Sequence, residues 1–199
     1  LFRSEGYTKL LENGQNRIAA AIGLSEALAI RGQYDEALAA LDKVAADSAE
    51  RFDWHLARAE VLTIVGRYQE ALQAATRSHE LRPLWAPAIF ARGRLLETLG
   101  NKEDAVKVYA GMDQVVAGDA WRKDAPSLVA LGRILDRYST LTGRKASEQA
   151  GNILNNYLQE AYLKVDKEYW PAHMAAAEFS LSKHRPDVAM KELQAAMKV

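Results

Sequence analysis

The amino-acid sequence predicts an all-α protein built from short antiparallel helix pairs stacked side by side, that is, an α-solenoid. Two observations carry this prediction: a six-residue pattern that recurs every 34 residues, and apolar residues at helical spacing on both sides of each copy. A third observation is that none of the 199 residues is cysteine. Helix packing must therefore stabilise the chain without disulfides or cysteine-bound metal.

The recurring pattern is a glycine, a polar turn, an acidic residue and a closing alanine. Its copies are Gly32–Ala37, Gly66–Ala71 and Gly100–Ala105. Glycine accepts the left-handed backbone that ends a helix, and acidic side chains favour the first turn of the next helix. The closing alanine is small enough for two helices to approach closely. Each copy therefore predicts a helix end, a tight turn and a helix start.

Apolar residues flank the first two copies with a period of three or four, as on one face of a helix. Upstream they are Ile18, Ile22, Leu24 and Leu28, then Leu56, Leu62, Ile64 and Val65. Downstream they are Leu38, Leu41 and Val44, then Leu72, Ala75 and Leu81. A unit of two such helices is too small to bury its apolar face alone, so we expect neighbouring units to stack.

The pattern resembles the tetratricopeptide repeat, a helix–turn–helix unit of 34 residues. With the glycine at place fifteen, the small residue of place eight is Ser25, Ala59 and Gly93, and the larger residue of place twenty-four is Leu41, Ala75 and Tyr109. The closing proline occurs once, as Pro83. The sequence departs from the family at place four, with Ala21, His55 and Ile89, and at place seven, with Arg58 and Arg92. The resemblance implies a right-handed superhelix of helix pairs.

The resemblance divides the chain into five repeats, at residues 18–51, 52–85, 86–119, 125–169 and 170–199. The fourth repeat contains a polar stretch, 139–149, which we interpret as an inserted loop, either tolerated drift or part of the binding face. We expect the fifth to be truncated, because Val199 falls inside a predicted helix. Residues 1–17 predict a lone helix from about Arg3 to Glu12, stopped by Asn13–Gly14, or the remnant of an earlier repeat.

No constellation of side chains predicts a catalytic, cofactor or metal site. The histidines, His55, His79, His173 and His184, form no i, i+4 pair, and the glycines lack phosphate-loop spacing. We therefore expect no enzymatic activity and no cofactor in this chain. Trp54, Trp85, Trp121 and Trp170 all lie near the start of a first helix. They could form a stacking ladder for a ligand, but wedging between repeats is the favoured interpretation.

Charge and hydropathy limit the classes of partner. Lys and Arg total 26, and Asp and Glu also total 26, so there is no positive excess to attract nucleic acid or anionic membranes. The apolar runs fall short of the roughly 20 residues that a membrane helix needs. We see no signal peptide at Leu1 and expect a soluble protein, cytoplasmic or extracytoplasmic.

The resemblance also implies a candidate binding surface, because in this family the first helix of each repeat lines a concave groove. The fifth places hold Ile22, Leu56, Phe90, Val129 and Met174, and the ninth hold Glu26, Glu60, Arg94, Arg133 and Glu178. Residues four apart share a helix face, so an apolar row should run beside a charged row. We expect the charged row to be acidic in the first repeats and basic near Arg94, Arg133 and Arg137. The alternative is that the apolar row only packs between adjacent first helices.

These observations predict a non-catalytic scaffold that binds a peptide or protein segment in its groove. Two alternatives are a helical-repeat arm of a larger multidomain enzyme, such as a peptidase or transferase, and self-assembly into a homo-oligomer through the solenoid ends. Family members that grip the C-terminal carboxylate of chaperones have Lys at place five and Asn at place nine of the first repeat. Here Ile22 and Glu26 hold those places, which argues against that activity.

Overall fold

A computed structural model describes residues 2–12, 16–143 and 146–198. Throughout these ranges the secondary structure is helical, without a β-strand. The α-helices are α1 (Phe2–Glu12), α2 (Arg17–Ile30), α3 (Tyr34–Asp42), α4 (Phe52–Ile64), α5 (Tyr68–Leu81), α6 (Ala86–Thr98), α7 (Lys102–Ala110), α8 (Met112–Val116), α9 (Ala125–Thr142), α10 (Ala146–Ile153), α11 (Trp170–Ser182) and α12 (Pro186–Ala196). Ala45–Asp47 and Ala120–Lys123 are 3₁₀ turns, and Leu154–Leu158 and Ala161–Val165 are π-helical.

The turn between the two helices of a repeat is built in the same way each time. Gly32, Gly66 and Gly100 have φ of 76°, 79° and 87°, the left-handed region that glycine occupies without steric cost. After Gly32, Gln33 donates its N–H to the Leu28 carbonyl, five residues back, at 3.0 Å. After Gly66, Arg67 makes the same bond to Leu62 at 2.9 Å. This bond is that of a Schellman motif, which satisfies a carbonyl left open at the helix end. The predicted role of the recurring glycine is thus confirmed.

The fifth repeat makes the same turn without glycine. His184 has φ of 57° and occupies the middle of the three residues between α11 and α12, the place of Gly32, Gly66 and Gly100. Arg185 then donates its N–H to the carbonyl of Ser180 at 2.9 Å, matching the bond in the glycine turns. The repeat geometry is therefore strong enough to hold a residue with a Cβ in a conformation that disfavours it.

The described chain forms two compact units. The first is Leu1–Pro83 with Arg94–Gly100, and the second is Leu84–Gly93 with Asn101–Val199, so α6 contributes residues to both. In the first unit α2 packs against α1, α3 and α4, and α4 packs against α3 and α5. One part of its core comprises Ala21, Leu41, Val44, Trp54 and Ala57. Trp54 also donates its indole N–H to the Leu41 carbonyl at 3.0 Å, which fixes α4 against α3.

Helix α1 is paired and does not stand alone. It packs against α2, where the ring of Tyr7 lies over Gly23. A Cβ placed on Gly23 would be 2.5 Å from the Tyr7 ring, so only glycine allows this approach. The predicted stop at Asn13–Gly14 lies outside the described residues.

The second unit corrects the interpretation of residues 139–149 as a loop. Residues up to Thr142 continue α9, and α10 begins at Ala146, so most of the polar stretch is helical. The left-handed turn residue is Gly143, with φ of 69°, which lies four residues or about one turn after place fifteen of a repeat that begins at Ala125. The buried Ser139 hydroxyl donates to Gln149 Oε1 at 2.8 Å, which ties α9 to α10. Arg144 and Lys145 lie outside the described residues.

Candidate partner-binding surface

The five apolar residues at place five differ in how much of their surface is exposed to solvent. Leu56 and Val129 are buried, with 8% and 5% of their surface exposed, and they pack between helices. Ile22, Phe90 and Met174 are half-buried, and Ile22 also packs against the core cluster of the first unit. Part of the row thus serves packing, and part keeps some surface exposed to solvent.

In the first unit the residues at place nine point to solvent. Glu26 on α2 and Glu60 on α4 are exposed, as is Arg94 on α6. Desolvation by burial nevertheless raises the pKa of Glu26 above its ordinary value. A carboxylate can be open to water and still be partly desolvated when protein surrounds it at a short distance, as in a concavity. The raised pKa therefore indicates that protein atoms lie close to this exposed carboxyl.

In the second unit the structure brings three of the predicted residues together. Arg133 Nη2 on α9 lies 2.8 Å from Glu178 Oε2 on α11, and the Arg133 guanidinium lies 5.6 Å from the centroid of the Phe90 ring. Lys183 makes a second cross-helix bridge to Asp136 at 2.6 Å. Because Glu178 pairs with Arg133, the basic patch expected around Arg133 and Arg137 is partly neutralised at its centre.

Two exposed isoleucines lie on the same helix faces as the predicted residues at places five and nine. Ile30 is 70% exposed and Ile64 is 55% exposed, although each is a large aliphatic residue on a first helix. Each lies four residues after the glutamate of its helix, Glu26 or Glu60, and the two are 34 residues apart. The same i, i+4 spacing that linked places five and nine could have found them at place thirteen. We define the α2–α4 face as Ile22, Glu26 and Ile30 on α2 with Leu56, Glu60 and Ile64 on α4.

Arginine at place seven, a departure from the family pattern, has a packing role in the second repeat. The Arg58 guanidinium lies 5.5 Å from the centre of the Trp54 ring and pairs with Asp42 on α3. An arginine stem can cover apolar surface while its charged end reaches solvent. Arg58 thus caps a buried tryptophan where the family has an aliphatic side chain.

The tryptophans support wedging at two positions. Trp54 and Trp121 are both 6% exposed, and Trp121 stacks on Tyr157 with ring centroids 5.7 Å apart. Trp85 is half-buried, whereas Trp170 is 38% exposed. Since the two most buried indoles fill space between helices, their large apolar area contributes to packing.

A buried polar network that the sequence did not reveal ties α12 to the rest of the second unit. Glu192 on α12 and His173 on α11 are each 7% exposed, and His173 Nδ1 lies 2.8 Å from Glu192 Oε2. Tyr162 donates its hydroxyl to Glu192 Oε1 at 2.9 Å, and Gln159 donates its amide at 3.2 Å. The Tyr162 and His173 rings stack with centroids 3.8 Å apart. A carboxylate with this many donors is a structural anchor.

The described residues contain neither a cluster of metal-binding side chains nor a membrane-spanning helix. Within ranges 2–12, 16–143 and 146–198, no three His, Cys, Asp or Glu side chains gather closely enough to hold a metal ion. Over the same ranges, none of the helices combines the length and apolar character required to cross a bilayer.

No protein-family model matches the sequence, and no curated protein matches it. Solved structures match over most of its length. A TPR protein of Thermus thermophilus, TTC0263, has a TM-score of 0.59 at 18% identity, over 89% of each chain. Cut9–Hcn1 of the APC/C gives 0.57 at 17% identity, over 98% of this chain and 36% of that chain. YrrB, described as a TPR protein with an unusual peptide-binding site, has a TM-score of 0.50 at 16% identity, over 98% of this chain and 92% of that chain.

Proposed function

Because the chain has the tetratricopeptide-repeat fold, as its 34-residue period predicted, we propose that it is a non-catalytic scaffold that holds a peptide or protein segment. The segment would bind against the first helices of the repeats. Fold alone does not dictate function, so the proposal depends on the side chains that these helices present.

The observation that carries the proposal is the surface left open on the first helices. Three apolar side chains are only half-buried: Ile22, Phe90 and Met174. Four residues after Ile22 and Met174, the charged side chains of Glu26 and Glu178 are exposed. A peptide site needs apolar contacts for affinity and polar groups beside them for orientation. The first helices of both units have both kinds of side chain on one face.

A binding role also agrees with where the buried ionisable groups lie. His173 and Glu192, each 7% exposed, contact each other and Tyr162 inside the second unit. In active sites such groups usually lie within reach of substrate. YrrB, which shares the fold, is described as having a peptide-binding site, and a similar use of the fold is part of this proposal.

The test is site-specific photocrosslinking in cells that express the full-length protein. A photoreactive phenylalanine analogue at Phe90 should crosslink to partner protein, because this side chain is half-buried on a first helix. The same analogue at Leu163, which is 61% exposed on the second helix of the fourth repeat, is the matched control. Partner bands at both positions, or at Leu163 alone, would count against binding on the first helices. No crosslink from Phe90 would count against the scaffold role.

A further inference from the structure

We propose that the α2–α4 face binds a linear peptide segment in which a lysine or arginine is flanked by apolar side chains. This inference rests on the proposed function and adds the chemistry of the partner. The face has a repeated order along each helix: aliphatic, acidic, aliphatic. That order is Ile22, Glu26 and Ile30 on α2, and Leu56, Glu60 and Ile64 on α4.

The geometry places these six residues together. Residues four apart lie on one side of a helix, with about 6 Å of axial rise between them. Helices α2 and α4 pack against each other in the first unit, and the two sets of three are offset by one 34-residue period. The two helices therefore present the same order of side chains: an apolar residue at each end and a glutamate between them.

Burial differs along the face in a way that suits a ligand. Leu56 is 8% exposed and forms the floor, whereas Ile30 and Ile64 are 70% and 55% exposed. Burying a large aliphatic side chain contributes about 1.5–3 kcal/mol. Two exposed isoleucines at the same place of adjacent repeats thus form an apolar surface that a partner can cover.

Charge selects the kind of partner. Glu26 and Glu60 are both exposed on the helices that present the isoleucines. Glu60 already interacts with other groups of the chain, whereas among the described residues Glu26 has no salt bridge or hydrogen-bonded cation, so the charge argument rests on Glu26. Desolvation already raises the pKa of Glu26, and a cation placed against its carboxylate would offset that cost. An acidic segment or a free C-terminal carboxylate would instead be repelled. A basic residue between two apolar residues fits both features of the face.

The spacing of the face also limits the ligand sequence. Apolar residues lie about 6 Å to either side of each glutamate along the helix axis. In an extended peptide this distance corresponds to two residues, and in a helical peptide to four. The expected partner therefore has apolar residues two or four positions from its lysine or arginine.

The experiment is selection from a display library of random linear peptides against the whole chain, followed by affinity measurement with the selected peptides. The wild type should select peptides with a basic residue flanked by apolar residues. Glu26→Lys with Glu60→Lys should weaken these peptides about tenfold or more and should itself select acidic–apolar peptides. Glu26→Gln with Glu60→Gln, which keeps the shape, should weaken the same peptides to a smaller degree.

The matched control is Glu5→Lys with Glu168→Lys, which changes the net charge equally at two exposed acids outside the face. It should leave the affinity unchanged, and circular dichroism should show that all variants retain their helices. Selected peptides whose affinity depends on Phe90 and is unaffected at Glu26 and Glu60 would overturn this inference and leave the scaffold role standing. A library that yields no binder would overturn both.

Discussion

The ring of Tyr109 occupies the space that a side chain at position 93 would need. A Cβ built on Gly93 would lie 2.1 Å from Tyr109 Cε1, and Tyr109 is fully buried. These residues hold places eight and twenty-four of the third repeat. The same places hold Ala59 and Ala75 in the second repeat, both fully buried. The side-chain volume at place eight is therefore matched to the side-chain volume at place twenty-four. The third repeat pairs glycine with tyrosine, whereas the second pairs two alanines.

Gly93→Ala should destabilise the protein, although alanine normally stabilises a helix relative to glycine. The added methyl would meet the Tyr109 ring, which cannot move away because it is fully buried. We expect a loss of about 2 kcal/mol in the free energy of unfolding, typical of overpacking, measured by urea denaturation. In Gly151→Ala nothing lies within 4 Å of the new Cβ, so this control should be neutral or stabilising. Combining Gly93→Ala with Tyr109→Leu should recover part of the loss, and equal losses in both glycine variants would contradict the steric explanation.

His184→Gly should stabilise the second unit. His184 has φ of 57°, and the left-handed region costs a non-glycine residue about 1–2 kcal/mol. Part of this gain is offset because glycine has more conformational freedom in the unfolded chain. We therefore expect the free energy of unfolding to rise by about 0.5–1 kcal/mol. Gly66 has φ of 79° at the same place of the second repeat, so Gly66→Ala should lower the free energy of unfolding by a similar amount. A lower melting temperature for His184→Gly would mean that the imidazole makes a stabilising contact.

Removing the buried carboxylate of Glu192 should loosen α12. Glu192→Ala leaves His173 and the Tyr162 hydroxyl without their shared acceptor, and each buried polar group left unpaired costs about 1–3 kcal/mol. Glu192→Gln keeps one acceptor oxygen and should lose less. Lys191→Ala, at an exposed position on the same helix, is the control. Hydrogen exchange of the α12 amides should accelerate in Glu192→Ala and stay unchanged in Lys191→Ala; similar rates in both would contradict an anchoring role.

Stability should fall at alkaline pH partly through Tyr162. Burial, followed by its hydrogen bond to Glu192, raises the pKa of this phenol far above the ordinary value of 10.0. The unfolded chain then releases the proton first, so the stabilisation is present below about pH 10 and is lost as the pH rises further. Tyr162→Phe, which has no phenol to ionise, should show a shallower decline in urea midpoint above that pH. An identical decline in wild type and variant would contradict the assignment.

The sequence was sufficient for the repeat fold because its strongest signals are local. Glycine at a fixed period marks each left-handed turn, and the apolar spacing marks each helix. It was insufficient for residues 139–149, because polar residues such as Ser139 and Thr142 are as typical of loops as of a helix end. His184 gave no turn signal, since histidine rarely takes that conformation. Glu192 could not be predicted as buried, because glutamate is buried only when distant residues supply its donors.

The binding surface was predictable only in part for a related reason. Periodicity placed Ile22, Glu26, Leu56 and Glu60 on first helices, but it could not say which of them packing would cover. The pairing of Arg133 with Glu178 joins residues 45 positions apart and depends on how α9 meets α11. The sequence contains both charges and does not encode their contact in any local pattern.

The two π-helical segments give the fourth repeat places where its chain length can change. A π-turn holds one residue more than an α-turn, so each segment accommodates one extra residue within the helix. Deleting one residue within Leu154–Leu158 would restore an α-turn and leave the helix after it in nearly the same orientation. Gln159 and Tyr162 would then still face Glu192. Deleting one residue from a regular turn of α9 would instead rotate the helix after it by about 100°. Single-residue gaps should therefore be tolerated better in the π-helical stretch than in α9.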